Sequence, residues 1–561
     1  MFRQHLSRLL RMKNGDREPD KLGEWLAEYR YDLREMIRCR SMILPLVLTL
    51  LLGYGFTLTH PSVSVDDTAI GWYMDEGQIL LQGRFFPYLL QRVLPVYRFQ
   101  PVVTDLLAVL CMTIGMLLFS CVLDRAAGRS ITIPWRTVFV CAAVSYPLIA
   151  EIFIYMQVSF TIGLCYLLSA VAAAALYGLW CTGRGRYFAV AAGIACLLAG
   201  SCESFIVVLS VECICLLIVA QLYGQQEDRP IKRFILRMLS CGAAILIGLI
   251  LKIIIMGGIR LIRRDLFLSG VNPSQNMTLW GSGSFTETFS EMMRLISVKY
   301  ILHAFSYLPV GLYAVGFAGC LLAAILFAVR RKGTLALEFA SLALSTQALS
   351  LIQGDAQRYR TCQCFAIFAG FLVMLIGNSI CRQRVRRWVK TAAGILAGAF
   401  CLLQAQDLNR WFSLDYARWQ YEERLLTSAA QEVLRDSGDD QPVIFTGQLT
   451  LPDYLAESFS VPEDGLETRI AEKVYRAQGR EYVRPWLTET LQQSVITWAV
   501  SALDGANGQL RVLLVWEGYD FPACTGQQYM DAEERTESLP AYPEPGSVLD
   551  CGDYVAVHMG G

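Results

Sequence analysis

The sequence predicts a mostly α fold, a polytopic transmembrane helical bundle of about 11 spans with a small extracytoplasmic α/β C-terminal domain. Three observations carry this. The 561 residues are 54% hydrophobic and only 17% charged, against about 25% charged in an ordinary soluble domain. Mean hydropathy is +0.40, and apolar runs close to membrane length recur across residues 41–406. From residue 407 onward the composition turns charged and amphipathic, as a folded tail requires.

Residues 1–40 read as an amphipathic helix and not as a cleaved leader, with Trp25, Leu26, Tyr29, Leu33 and Ile37 at helical spacing. The Arg30, Arg34, Arg38 and Arg40 row suits lipid headgroups at the cytoplasmic face, although a solvated helix fits the same pattern. Spans are expected at 41–59, 102–123, 138–155 and 158–180. The apolar run from Phe188 to Leu222 is too long for one helix, and Ser201-Cys202-Glu203-Ser204 divides it into spans five and six. Spans seven to eleven are expected at 235–256, 301–329, 335–352, 362–380 and 391–406.

Basic residues follow every even-numbered span: Arg125, Arg129 and Arg136; Arg184 and Arg186; Lys232 and Arg233; Arg330 to Lys332; and Arg382 to Lys390. By the positive-inside rule these loops and the N-terminus are cytoplasmic, in a multi-pass protein of the cytoplasmic (inner) membrane. The first outer loop then covers 60–101, and the tail at 407–561 lies outside. In that tail a helix is expected at 413–436 and another at 487–503. Strands are expected at Pro442–Gly447, Leu510–Trp516 and Tyr554–His558. Cys524 and Cys551 are its only cysteines and are expected close enough to pair.

The other cysteines lie mostly alone in apolar runs and behave as small hydrophobes. No metal site is expected from them, and the reading needs no cofactor, leaving a divalent metal open. Lys+Arg and Asp+Glu are balanced at 49 each, so no global field favours nucleic acid. Asn276-Met277-Thr278 matches a glycosylation sequon, a short and common pattern.

Candidate chemistry gathers outside. Asp66 and Asp67 follow the first span directly, and either suits a general base; Asp is also a favoured N-cap for the stretch that follows. Arg84, the Arg260, Arg263 and Arg264 cluster, and the Arg358 and Arg360 pair stand on the outer face against the insertion bias. Guanidinium forks kept there fit a phosphate. Glu151 and Glu203, at the outer tips of helical pairs, suit sugar or acceptor hydroxyls, with plain contact to interfacial water as the alternative. Glu212, deep in an apolar helix, requires a buried partner, whereas Lys252 and Glu338 are expected to snorkel.

Together these serve transfer of a sugar from a lipid phosphate: a base, a phosphate clamp and a greasy groove for the carrier. The Val65-Asp66-Asp67 loop, Gln82-Gly83-Arg84-Phe85, the Tyr146-Pro147 to Glu151 turn, the Ser204-Phe205-Ile206 break and the Asn409-Arg410 helix leading to Pro442-Val443-Ile444-Phe445 carry a resemblance. Over residues 40–450 the chain resembles the bacterial O-antigen glucosyltransferase (Gtr type II) family, of the polytopic GT-C class. The resemblance implies an inverting transferase that moves a hexose, glucose by the family's name, from a polyprenyl-phosphate carrier to an envelope glycan. The base role then falls on Asp66 or Asp67, with Arg84 in the loop motif. Glu203 departs from the glutamine expected there, which bears on the sugar contact. A transporter or flippase of lipid-linked sugar, and an envelope polymerase or ligase, are the alternatives.

Overall fold

The computed structural model describes residues 22–64, 67, 76–94, 100–224, 230–264, 279–280, 283–449, 451–477, 479, 481–488, 491 and 508–560. The expected helix at 487–503 falls mostly outside these residues, and Asp66 and the sequon at Asn276 fall wholly outside them.

The fold is mostly α, a bundle of apolar helices with few strands. In chain order the main helices are α1 (Leu22–Arg38), α2 (Arg40–Tyr54), α3 (Phe85–Val93), α4 (Pro101–Ala126), α5 (Ile133–Val144), α6 (Met156–Thr182), α7 (Gly185–Ala199), α8 (Ser204–Tyr223) and α9 (Pro230–Ile262). They continue as α10 (Phe285–Ser297), α11 (Leu308–Val329), α12 (Gly333–Ser345), α13 (Cys364–Arg382) and α14 (Arg387–Ser437). Among the described residues, 8 helices are long and apolar enough to cross a membrane, or 9 if the bent pair α1 and α2 counts as one. The expected spans five and nine are the short helices α7 and α12, of 15 and 13 residues. At about 1.5 Å per residue neither reaches across roughly 30 Å of hydrocarbon. The long apolar run divides at Ser201–Glu203, where it was expected to.

Packing follows composition. Helices α4 and α6 meet backbone to backbone because Gly163 lies against Ala108; a Cβ there would fall 2.2 Å from the Ala108 carbonyl oxygen. Helices α9 and α11 instead leave Ile253, Ile254, Val315 and Ile325 exposed, as surfaces that face lipid must.

At the basic end, α1 is pinned to α4 by charge. Arg125 reaches Asp32 at 2.7 Å and Glu28 at 2.9 Å, and Arg129 reaches Asp32 at 3.1 Å. These pairs decide which face of α1 turns inward: Trp25, Tyr29, Asp32 and Met36 are buried, while Leu26 and Ile37 of the expected stripe are exposed beside Arg30 and Arg34. A cavity of about 320 Å³ lies at this elbow, between Asp32, Met36, Arg129 and Arg136.

Several expectations need correction. Span eight begins at Leu308, not at 301, because Pro309 occupies the first turn and residues 298–305 wind as π and 3-10 turns. The last span and the amphipathic helix after it are one 51-residue helix, α14. Glu338 does not snorkel; it is buried and lines a small cavity with Arg237 and Gln221. Glu212 has the partner it requires, a hydrogen bond of 3.2 Å from Ser169.

In the tail, β1 (Val443–Thr446) pairs in parallel with β3 (Val555–His558), and β2 (Val548–Asp550) pairs antiparallel to β3, in the order β1-β3-β2. The helices α15 (Asp453–Phe459), α16 (Leu466–Ala477), α17 (Gly508–Trp516) and α18 (Gly526–Thr536) complete it. The run expected as a strand at 510–516 is α17: Leu510, Leu513 and Leu514 are buried and Val515 exposed, a helical spacing. Cys524 and Cys551, both half-buried, are not joined by a disulfide. The sheet shares a core with the C-terminal half of α14, whereas Leu455 and Phe459 belong to the core of the bundle.

Candidate functional site

The first loop is fastened at several points at the end of the bundle opposite the basic cluster. The Ser62 hydroxyl donates to Asp415 on α14, and Val63 is buried against Met156 and Trp419. Ser64 then donates twice to one Asp67 oxygen, from its backbone N–H at 3.0 Å and its hydroxyl at 2.7 Å. Asp67 is fully buried. The acid is therefore not the N-cap but the residue three positions on, returning its carboxylate to Ser64 as in a capping box.

A second carboxylate meets it. Asp105, just past the first turn of α4, is buried, accepts 2.7 Å from the Ser159 hydroxyl and lies within electrostatic reach of Asp67. Sequence reasoning missed Asp105, although an aspartate inside an apolar span is costly enough to have marked it. Beside this pair on α14, Arg418 is enclosed between Asp415 at 2.7 Å and Glu422 at 3.4 Å, all three buried. A buried cation so matched is held in one geometry, and the Ser62 contact passes that rigidity to the loop.

The arginines fall into two groups. The Gln82-Gly83-Arg84-Phe85 loop docks onto the break between α7 and α8: the Phe86 N–H donates to the Gly200 carbonyl at 3.0 Å. Only glycine fits at 200, since a Cβ there would lie 2.1 Å from the Phe85 ring. Gly83 faces Lys252, whose ammonium pairs with the half-exposed Glu203 at 2.5 Å. Glu203 thus holds a cation beside Arg84. Arg263 donates to the Tyr88 hydroxyl at 3.3 Å from the end of α9, with Arg264 exposed next to it.

The second group is the 3-10 turn Tyr359–Thr361, with Arg358 at its cap. Arg360 donates 3.1 Å to the hydroxyl of Tyr155, the residue that caps α6, and Arg358 is exposed. One turn further along α6, Ser159 holds Asp105. The N-terminal end of α6 therefore holds a guanidinium at Tyr155 and, one turn on at Ser159, a carboxylate that Asp67 reaches electrostatically. Glu151 is buried within electrostatic reach of Tyr307, as is Asp407 of α14. Burial, reinforced by these two acids, pushes the Tyr307 hydroxyl well above its ordinary pKa.

The structure thus brings Asp105 and Arg360 to one end of α6, with Asp67 in electrostatic reach of Asp105, and sets the Gly83-Arg84 loop beside the Lys252–Glu203 pair. Among the described residues no three His, Cys, Asp or Glu side chains are grouped to hold a metal ion. No curated protein matches the chain. The family profile described as glucosyl transferase GtrII matches residues 55–377, which run from the first loop through the Arg358–Arg360 turn into α13. The chain belongs to this family of membrane glucosyl transferases.

Proposed function

We propose that the chain is an inverting glucosyltransferase that takes glucose from a polyprenyl-phosphate carrier and passes it to a cell-envelope glycan at the outer face of the cytoplasmic membrane. The observation that carries this reading is the N-terminal end of α6, where Arg360 bonds to Tyr155 and, one turn on, Ser159 bonds to Asp105, with Asp67 in electrostatic reach. In-line displacement at an anomeric carbon needs opposite charges on opposite sides of one atom. The acceptor hydroxyl oxygen forms its bond to carbon as its proton passes to a carboxylate, Asp66 or Asp67. The bond from carbon to the phosphate oxygen breaks, and polyprenyl phosphate leaves towards the arginines.

Arg360 and Arg358 supply the cationic side, with Arg84, Arg263 and Arg264 as the second group along the same end of the bundle. A helix N-terminus adds its own positive end to an anion site. Glu151, buried near Tyr307, and Glu203, paired to Lys252, suit sugar hydroxyls. Exposed apolar residues on α9 and α11 offer a surface to membrane lipid and to the carrier's tail. The basic residues at the opposite end support an orientation with the N-terminus inside and the tail outside. Mass spectrometry of envelope glycan from cells with and without the chain tests the reading. A loss of one hexose per modified unit is expected, and an unchanged glycan with altered amounts of lipid-linked sugar would favour a flippase.

A further inference from the structure

The arginine turn is tied to the C-terminal tail by a short line of polar contacts that the reaction scheme does not use. Tyr359, between Arg358 and Arg360, is buried; its hydroxyl lies 2.9 Å from His303 Nδ1 and 3.2 Å from the Lys299 carbonyl oxygen. The Lys299 ammonium sits 4.4 Å over the Tyr359 ring. On its other side the His303 Nε2 is 3.4 Å from a Glu467 carboxyl oxygen, near it but not drawn up into a hydrogen bond, and Glu467, on α16, is buried and bonds Ser306. Glu467 lies outside the 55–377 span that the family profile matches.

The protons in this line have two arrangements in which a small approach of Glu467 closes the last contact. If Tyr359 donates to the Lys299 carbonyl, its oxygen accepts from Nδ1–H, and the bare Nε2 accepts from a protonated Glu467. If Tyr359 donates to Nδ1, the proton sits on Nε2 and faces a Glu467 carboxylate. Both need a polar group at 467 and a neutral imidazole. Burial and the Lys299 charge hold His303 down at about 4, and burial pushes the Glu467 carboxyl up. Lys299, Tyr359 and Tyr482 are the other titratable groups facing this pair.

We propose that Glu467 is a positioning residue: through His303 and Tyr359 the tail fixes the Arg358–Arg360 turn in the geometry that grips the donor phosphate. The proposal rests on the reading of that turn as a phosphate clamp, and it gives the tail a task in the reaction. A side chain at 467 unable to bond His303 frees the imidazole, then the Tyr359 hydroxyl, and the turn loses its anchor while the bundle stays folded.

The test is the Kd of a synthetic polyprenyl-phosphate glucose for the purified full-length chain in nanodiscs, with the unfolding midpoint measured alongside. Glu467→Ala and Tyr359→Phe are each expected to weaken binding about three- to tenfold. Glu467→Gln, whose amide satisfies either arrangement, is expected within about twofold of wild type, a rescue that a merely structural role would not produce. A wild-type Kd for both Glu467→Ala and Tyr359→Phe, with Arg360→Ala weakened, overturns the proposal and leaves the clamp standing. A wild-type Kd for Arg360→Ala overturns the clamp itself, and the proposal with it.

Discussion

Arg360 and Tyr155 stand 205 residues apart in sequence, yet the guanidinium of one donates 3.1 Å to the hydroxyl of the other. The contact fastens the arginine turn to the cap of α6, the helix whose Ser159 holds Asp105. It makes the distance between cation and carboxylates a property of one helical turn and not of two independent loops. Rigid elements hold such a spacing more tightly than loops do.

Tyr155→Phe tests this coupling. The ring remains to pack, but Arg360 loses its acceptor. A hydrogen bond to a charged group contributes about 1.5–3 kcal/mol, so donor KM is expected to rise by on the order of tenfold with acceptor KM unchanged. Steady-state kinetics with varied donor checks this. An unchanged donor KM would mean that the contact does not set the position of Arg360.

Gly200 carries the docking of the Arg84 loop. A methyl group placed there meets the Phe85 ring at 2.1 Å, so Gly200→Ala must displace either the ring or the break between α7 and α8. Overpacking of this kind costs about 1–3 kcal/mol. A lowered unfolding midpoint is expected, together with reduced transfer; the further change Phe85→Ala, which makes room, should recover part of the stability. A Gly200→Ala protein as stable as wild type would contradict the packing described.

Acid sensitivity has a defined sign at His303. Its pKa lies at about 4 in the folded chain against 6.5 for the ordinary imidazole. Above pH 6.5 both folded and unfolded chains hold it neutral. Between about 6.5 and 4 the unfolded chain binds a proton that the folded chain refuses, so stability falls with pH by up to about 3 kcal/mol. Glu467, raised by burial, acts in the opposite direction just above its ordinary value of 4.5. Thermal unfolding of His303→Gln should therefore lose much of the slope below pH 6.5. A slope identical to that of the wild type would show that His303 is not buried neutral.

Much of the bundle was legible because burial in lipid and burial in protein both select long apolar runs. The break at 201–204 was legible too, since four small or polar residues interrupt an overlong run. Reading failed where one signal has two structural answers. Leu510–Trp516 is apolar enough for a strand and spaced for a helix, and packing against α14 settles it as α17. The turn at 298–305 was hidden inside an apolar segment until Pro309 fixed where α11 begins. In the site, Asp67 stood out by its place directly after the first span, and the arginines by standing against the expected insertion bias. Asp105 carried a signal that went unread, a carboxylate inside an apolar span; Tyr155 and His303 carried none, since each acts through a partner far away in sequence. No local pattern records such a partner.

The most direct measurement of the central claim is glucose transfer from a synthetic polyprenyl-phosphate glucose by the Asp66→Asn and Asp67→Asn proteins. General-base catalysis contributes about 10²–10⁴ in rate. One of the two variants is expected to lose turnover by that factor while binding donor with near wild-type affinity, because the carboxylate acts on the acceptor proton and not on the phosphate. The other is expected to lose far less. Near-normal turnover in both would contradict a first-loop carboxylate as the base, and with it the mechanism assigned to this end of the bundle.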